Sequence, residues 1–239
     1  PYRDELFIST KAGHDMWPGP YGNWGSRKHL MASLDQSLKR MNLDYVDVFY
    51  SHRYDPETPL EETLQALVDK GKALYVGLSK YPLDAYLFAS RYLKERDVPC
   101  LLYQGRYSML VREPESQGIL NAVKENGSGF VAFSPLAQGL LTNRYLNGIP
   151  DSRIARGGFL KKEALTPEVL SKIQALNERA AMRGQSLAEM ALAWLLKNET
   201  VTSVIVGASS VEQLGDSLKT LNHLSFEEEE LHAIEKILM

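Results

Sequence analysis

Six stretches of the chain are apolar almost without interruption, and each leads through a short polar segment towards a helical pattern. Continuous apolar runs of this length are typical of parallel strands that are covered on both faces, whereas half-exposed strands alternate. The pattern therefore predicts six parallel strands. They are LFISTK (6–11), VDVFYSH (46–52), ALYVGLSK (73–80), CLLYQGRY (100–107), FVAFSP (130–135) and SVIVGA (203–208).

Amphipathic helix patterns separate these runs. Ser26 precedes a segment in which Leu30, Leu34 and Leu38 recur at the spacing that places them on one helix face. Further helix starts are indicated by serine or threonine caps and by proline at the first helical position, and periodicity predicts two more helices. These are the starts Thr58–Glu61, Thr166-Pro167, Ser186–Glu189 and Ser225–Glu228, and the helices over 83–97 and 113–126.

This strand and helix alternation predicts one α/β domain over residues 1–239. A doubly wound sheet and a (β/α)8 TIM barrel both fit it, but no strand is followed by the G-x-G-x-x-G turn of a doubly wound nucleotide fold. We therefore favour the barrel and expect its first two βα units to be missing from the chain. The helix from Pro59 must end before Gly71 and is short for a barrel, so a few residues near Asp69 and Lys70 are also expected to be missing.

Composition narrows the function classes. The net charge of -3 gives no excess of basic side chains for nucleic acid. The only cysteine, Cys100, excludes a disulfide framework and is consistent with a reducing cytoplasm. The longest apolar runs are far shorter than the ~20 residues of a membrane-spanning helix. The five histidines lack paired ligand spacing, so no metal site is expected.

Polar side chains lie at the ends of all six predicted strands, where barrels carry their functional groups. Lys11 and His52 follow apolar runs directly, so they are expected at the barrel mouth. A cation there lowers the pKa of a neighbouring hydroxyl, and a neutral imidazole donates a hydrogen bond to a carbonyl oxygen. For His52 the sequence leaves open a second interpretation, a core histidine satisfied by a backbone group.

Three loops carry further candidates. In residues 203–218 a strand leads through glycine and serine into a helix, which is typical of a phosphate site or of an ordinary helix cap. The long loop within 132–153 carries Arg144 and Arg153, which suit a phosphate group or are solvated charges. The loop 12–26 carries aromatic side chains that predict a substrate wall or an oligomer contact. Those aromatic residues are Trp17, Tyr21 and Trp24.

Several long motifs resemble the aldo-keto reductases: ELFISTKAG, SLDQSLKRMNLDYVDVFYSHR, GKALYVGLSKY, AFSPLAQGLLTNRY and GASSVEQLGDSL. The resemblance implies a (β/α)8 barrel that binds NADPH without a Rossmann motif and reduces carbonyl groups by hydride transfer. It implies a site of tyrosine, lysine, histidine and aspartate, in which Lys11 and His52 match the lysine and the histidine.

The resemblance also implies the cofactor contacts. Ser79 and Gln104 match positions that hold the nicotinamide carboxamide, and Phe133 matches the aromatic side chain on that ring. The remaining matches are to contacts with the pyrophosphate, the 2′-phosphate and the adenosine. They are Ser134, Pro135, Leu136, Gly139, Arg144, Arg153, Gly207, Ser209, Gln213 and Asp216.

Some positions depart from the family pattern. The D-x-x-x-x-Y segment that supplies the aspartate and the tyrosine belongs upstream of Lys11, so the chain is expected to continue before Pro1. Lys80 stands where many members have asparagine, and Asp216 and Ser217 stand where glutamate and asparagine are usual.

The predicted function is NADPH-dependent reduction of small aldehydes such as glyceraldehyde 3-phosphate or methylglyoxal, with a homo-oligomer suggested by the aromatic loop. The predicted substrate follows from a resemblance to the branch of the family that reduces L-glyceraldehyde 3-phosphate. The alternative is a non-enzymatic NADPH-binding regulatory subunit, like the related potassium-channel β subunits.

Overall fold

Strands and helices alternate along the chain in the computed structural model, which describes residues 2–69, 71–146 and 165–239. The strands are β1 (Ser9–Ala12), β2 (Val46–Ser51), β3 (Ala73–Ser79), β4 (Cys100–Arg106), β5 (Gly129–Phe133) and β6 (Val201–Ile205). The helices are α1 (Arg27–Met41), α2 (Leu60–Val68), α3 (Leu83–Lys94), α4 (Glu113–Ser116), α5 (Ile119–Glu125), α6 (Pro167–Met182), α7 (Leu187–Leu196), α8 (Val211–Lys219) and α9 (Glu228–Leu238). The hydrogen-bonded strand order is β1-β2-β3-β4-β5-β6, which confirms the predicted α/β class.

The chain divides into two compact units. The first comprises residues 1–105 and 115–130, and the second comprises residues 106–114 and 131–239. The single domain expected over 1–239 stays a prediction.

In the first unit, strands β1 to β4 are parallel. Every residue of β2 is buried, as its nearly continuous apolar pattern predicts, and the burial includes the polar Asp47 and Ser51. The register sets Lys11 opposite Tyr50, and Tyr50 opposite Gly77. A Cβ atom at Gly77 would lie 2.3 Å from the Tyr50 ring. Glycine is therefore needed at this position because the aromatic ring occupies the space of a side chain.

The predicted capping box at Thr58 is wrong. Helix α2 has Pro59 as its N-cap, with no side-chain capping bond. The Thr58 hydroxyl instead donates a 2.6 Å hydrogen bond to the Asp55 carboxylate. That buried carboxylate also accepts the backbone N–H groups of Gly25 and Glu57, so it is the stronger partner for the hydroxyl.

Two other helix predictions need correction. The box predicted over Ser225–Glu228 lies two residues further on, where Glu227 and Glu230 form a reciprocal capping box. The helix predicted over 113–126 is interrupted at Gly118, which has a φ of 75°. Its left-handed backbone ends one helical segment and begins the next.

In the second unit, helices α6, α7 and α9 supply buried apolar side chains. Trp194 is 2% exposed, and its ring lies 5.8 Å from that of Tyr107. Arg183, whose side chain is 3% exposed, pairs with Glu230 at 2.7 Å. None of the helices in the described residues has the length and apolar character that crossing a bilayer demands.

Candidate active site

Strands β1 and β2 bring Lys11 and His52 to one edge of the first unit. The backbone N–H of His52 donates a 2.8 Å hydrogen bond to the carbonyl oxygen of Ala12, the residue after Lys11. The two residues therefore leave neighbouring strands at the same level. Both side chains are partly exposed, so His52 is not enclosed in the core.

Burial and the neighbouring positive charges favour the neutral form of the His52 imidazole. Burial, followed by the positive charges of Lys11 and Lys80, lowers the pKa of His52 to about 3. Burial and then Lys80 also lower the pKa of Lys11. At neutral pH the His52 ring is therefore uncharged. In this form one ring nitrogen carries a hydrogen and can donate a hydrogen bond.

Ser79 and Gln104 lie at the ends of β3 and β4, opposite each other in the sheet register. Both are buried. Lys11 Nζ donates a 2.7 Å hydrogen bond to Gln104 Oε1. Within the described residues the Ser79 Oγ has no hydrogen-bond partner. A buried hydroxyl without a partner carries a desolvation cost that a bound polar ligand would relieve.

His14 and Lys80 form a second group of polar side chains beside His52. The sequence analysis did not identify His14 as a candidate site residue. The rings of His14 and His52 meet edge to face with centroids 4.3 Å apart. Lys80 Nζ lies 3.4 Å from His14 Nε2. The available signal was position, because His14 follows the end of β1 by two residues and Lys80 directly follows β3.

The aromatic loop between β1 and α1 packs against His29 of α1 and against Arg53, which follows β2. The buried His29 ring lies 5.0 Å from the Trp17 ring, and its Nδ1 is 3.0 Å from the Tyr21 carbonyl oxygen. Trp24 lies under the Arg53 guanidinium at 3.8 Å. Tyr21 and Trp24 are exposed as expected, whereas Trp17 is only partly exposed because it packs on His29.

The second unit contains a cleft formed by two adjoining cavities of about 370 and 210 Å³. Most of the residues predicted to hold the cofactor's phosphates and adenosine line it. These are Ser134, Pro135, Leu136, Gly139, Arg144, Gly207, Ser209, Gln213 and Asp216. Phe133 is the last residue of β5 and directly precedes Ser134. Arg153 lies outside the described residues.

Hydrogen bonds stabilise the start of α8, which lines this cleft. The backbone N–H and hydroxyl of Ser209 both donate to Gln213 Oε1, at 2.8 and 2.9 Å. Ser210 caps α8 by accepting the Gln213 N–H. The predicted helix cap is thus present, and it leaves the phosphate interpretation open. Asp216 pairs with Lys219 at 2.7 Å.

The segment 134–138, most of which lines the cleft, has an unusual backbone. Ser134, Ala137 and Gln138 all have left-handed φ values, of 53°, 46° and 61°. Non-glycine residues rarely adopt this conformation, and such strain collects at ligand sites. Among the described residues that line the cleft, Arg144 is the only basic side chain.

The chain is similar to known proteins over nearly all of its length. The model of the aldo/keto reductase family matches residues 1–239. L-glyceraldehyde 3-phosphate reductases from Escherichia coli O157:H7 and strain K12 are 56% and 54% identical, over 98% of this chain and 70% of each relative. A probable voltage-gated potassium channel subunit beta from Arabidopsis thaliana is 37% identical, over 92% of this chain and 69% of the relative. The chain belongs to the aldo/keto reductase family of oxidoreductases.

Proposed function

We propose that this protein reduces a small aldehyde with NADPH, and that glyceraldehyde 3-phosphate is its substrate. The observation that carries the proposal is the pairing of Lys11 with a neutral His52 at the ends of β1 and β2. The reductase names of the two relatives above 50% identity support the substrate. Methylglyoxal is a second small aldehyde that the same pair suits.

His52 and Lys11 have distinct tasks at the carbonyl oxygen. A neutral His52 donates a hydrogen bond to that oxygen and fixes the orientation of the aldehyde. Lys11 adds positive charge beside it, which stabilises the negative charge that develops on the oxygen during reduction. The reduced nicotinamide, when bound, would supply the hydride, and the tyrosine that the family resemblance implies would supply the proton that the reduced oxygen takes up.

The residues present fit a nicotinamide cofactor. Near Lys11, the Ser79 hydroxyl has no hydrogen-bond partner among the described residues, and it and the amide of Gln104 suit hydrogen bonds with a carboxamide. We propose that Phe133 contacts the nicotinamide ring, as the family resemblance implies. A carboxamide is both donor and acceptor, so it satisfies a serine and a glutamine together.

The cleft in the second unit fits phosphate and adenosine groups. Arg144 supplies a guanidinium, and Ser209 and Gln213 supply a hydroxyl and an amide along the same wall. We propose that Arg144, together with Arg153, holds the phosphate that distinguishes NADPH from NADH. A guanidinium suits this task because it binds phosphate oxygens in pairs.

Two further assignments extend this proposal. Tyr21 and Trp24 form an exposed wall that contacts either the substrate or a second copy of the chain. The single cysteine, Cys100, is unpaired and buried, as expected for a protein that works in a reducing cytoplasm.

The test is NADPH consumption by the purified protein with glyceraldehyde 3-phosphate, methylglyoxal and glyceraldehyde. His52→Leu removes the donor and should lower kcat/KM by about 10²–10³, the usual cost of losing one donor to a developing oxyanion. The matched control is His232→Leu, at an exposed histidine on α9. Equal turnover in His52→Leu and the control would refute the role of His52, and no turnover with any aldehyde would refute the proposed function.

A further inference from the structure

A cationic cluster, defined here as His14, Arg53 and Lys80, lies beside the reacting pair and has no assigned task. The pKa of His14 is lowered by burial and then by the charges of Arg53 and Lys80. The pKa of Lys80 is lowered by burial and then by Arg53. Arg53 and Lys80 are therefore close enough to repel each other, whereas the lowered pKa keeps His14 uncharged at neutral pH. An anion placed among the three side chains would offset that repulsion.

Arg53 is held in position by its own loop. Its Nε donates to the Gly13 carbonyl oxygen and its Nη2 to Asn23 Oδ1, both at 2.8 Å. Its guanidinium also covers the Trp24 ring at 3.8 Å. These bonds use two of the five N–H donors of a guanidinium. A charge fixed in this way needs little further ordering when it meets a ligand.

Lys80 occupies a position that does not suit a lysine. Its φ is 55°, in the left-handed region that glycine and asparagine tolerate best. Its backbone N–H donates to the Gln104 carbonyl oxygen at 3.2 Å, which fixes the strand end. The backbone alone therefore gives no reason for a long cationic side chain here, and its exposed position beside His14 gives one.

We propose that Arg53 and Lys80, with His14 between them and the reacting pair, bind the phosphate monoester of the substrate. This rests on the proposed function, in which the aldehyde carbonyl lies at His52. The His14 ring contacts His52 on one side, and its Nε2 lies 3.4 Å from Lys80 Nζ. A ligand that reaches from His52 to Lys80 past this ring has a short carbon chain between its carbonyl and its phosphate. Arg53 binds two phosphate oxygens through its planar fork, and Lys80 binds a third as a point charge.

The test measures the phosphate preference, defined as kcat/KM for glyceraldehyde 3-phosphate divided by kcat/KM for glyceraldehyde. Lys80→Met removes the charge and keeps the length of the side chain. It should lower the preference about tenfold, the size of one lost charge-assisted hydrogen bond, whereas Lys80→Arg should retain most of it. Lys94→Met, an exposed lysine at the end of α3, is the matched control and should keep the wild-type preference.

A binding measurement separates this inference from the proposed function. Calorimetry with glycerol 3-phosphate, in the presence of the oxidised cofactor, should show about tenfold weaker binding to Lys80→Met than to wild type. If the protein reduces neither aldehyde, the proposed function fails and the calorimetry alone decides the phosphate site. An unchanged preference in an active Lys80→Met enzyme would overturn the inference, as would equal glycerol 3-phosphate affinity in the two proteins.

Discussion

The protonation of His52 depends on Lys11, and this dependence can be measured directly. In the folded protein, burial is the largest cause that lowers the pKa of His52 to about 3, and Lys11 is the second. Lys11→Met removes one positive charge beside the ring while keeping the length of the side chain. The imidazolium then becomes less unfavourable, so the pKa of His52 should rise.

The size of the rise follows from Coulomb's law. Two unit charges about 6 Å apart at an effective dielectric constant near 20 interact by about 3 kcal/mol, or about two pKa units. Solvent reaches the partly exposed ring, which reduces the expected shift to roughly one unit. The pKa of His52 in Lys11→Met should still lie below 6.5, because the larger effect of burial remains.

Nuclear magnetic resonance titration of the imidazole is the assay, with His52→Gln to assign the resonance. In the wild type the His52 signal should keep its neutral position down to about pH 4.5, whereas in Lys11→Met it should begin to move in that range. Lys94→Met is the control, since Lys94 is not among the groups that shift the pKa of His52. A wild-type pKa near 6.5, or an identical titration in Lys11→Met, would refute the reasoning.

Three further changes test other parts of the structure. Gly77→Ala should lower the free energy of unfolding by about 1–3 kcal/mol in denaturant melts, because its Cβ would meet the Tyr50 ring; an unchanged midpoint would contradict the close packing. Ser79→Ala should weaken NADPH binding by roughly 2- to 10-fold in fluorescence titration while leaving stability nearly unchanged, since the lost hydroxyl has no partner in the described structure. Arg144→Gln should weaken NADPH binding about tenfold and NADH binding much less; equal losses would place the guanidinium on a group that the two cofactors share.

The ends of the first four strands were predictable because each apolar run stops abruptly, whereas β6 (Val201–Ile205) ends before the predicted Ala208. Lys11 and His52 follow such runs, and the parallel pairing of β1 with β2 then places them at one edge. Ser79 and Gln104 are matched in the same way by the register of β3 and β4. In both pairs, the position of a residue at the end of its strand predicts where it lies, because neighbouring parallel strands end at the same edge of the sheet.

The cationic cluster was not predictable, because it depends on side-chain directions. His14 and Lys80 are far apart in the sequence, and the left-handed backbone of Lys80 has no local signal in a Ser-Lys-Tyr segment. The capping error at Thr58 has a similar cause. The hydroxyl had a choice between a helix N–H group and the Asp55 carboxylate, and only the fold shows that the carboxylate is within reach.

Isotope transfer from the cofactor to the product tests hydride reduction of a carbonyl held by His52. NADPH with both hydrogens of the hydride-donating nicotinamide carbon replaced by deuterium is incubated with glyceraldehyde 3-phosphate and either the wild-type protein or His52→Leu. We expect one deuterium on the former carbonyl carbon of the glycerol 3-phosphate product, formed much more slowly by His52→Leu. A product without deuterium, or equal rates in the two proteins, would contradict direct hydride transfer to a carbonyl held by His52.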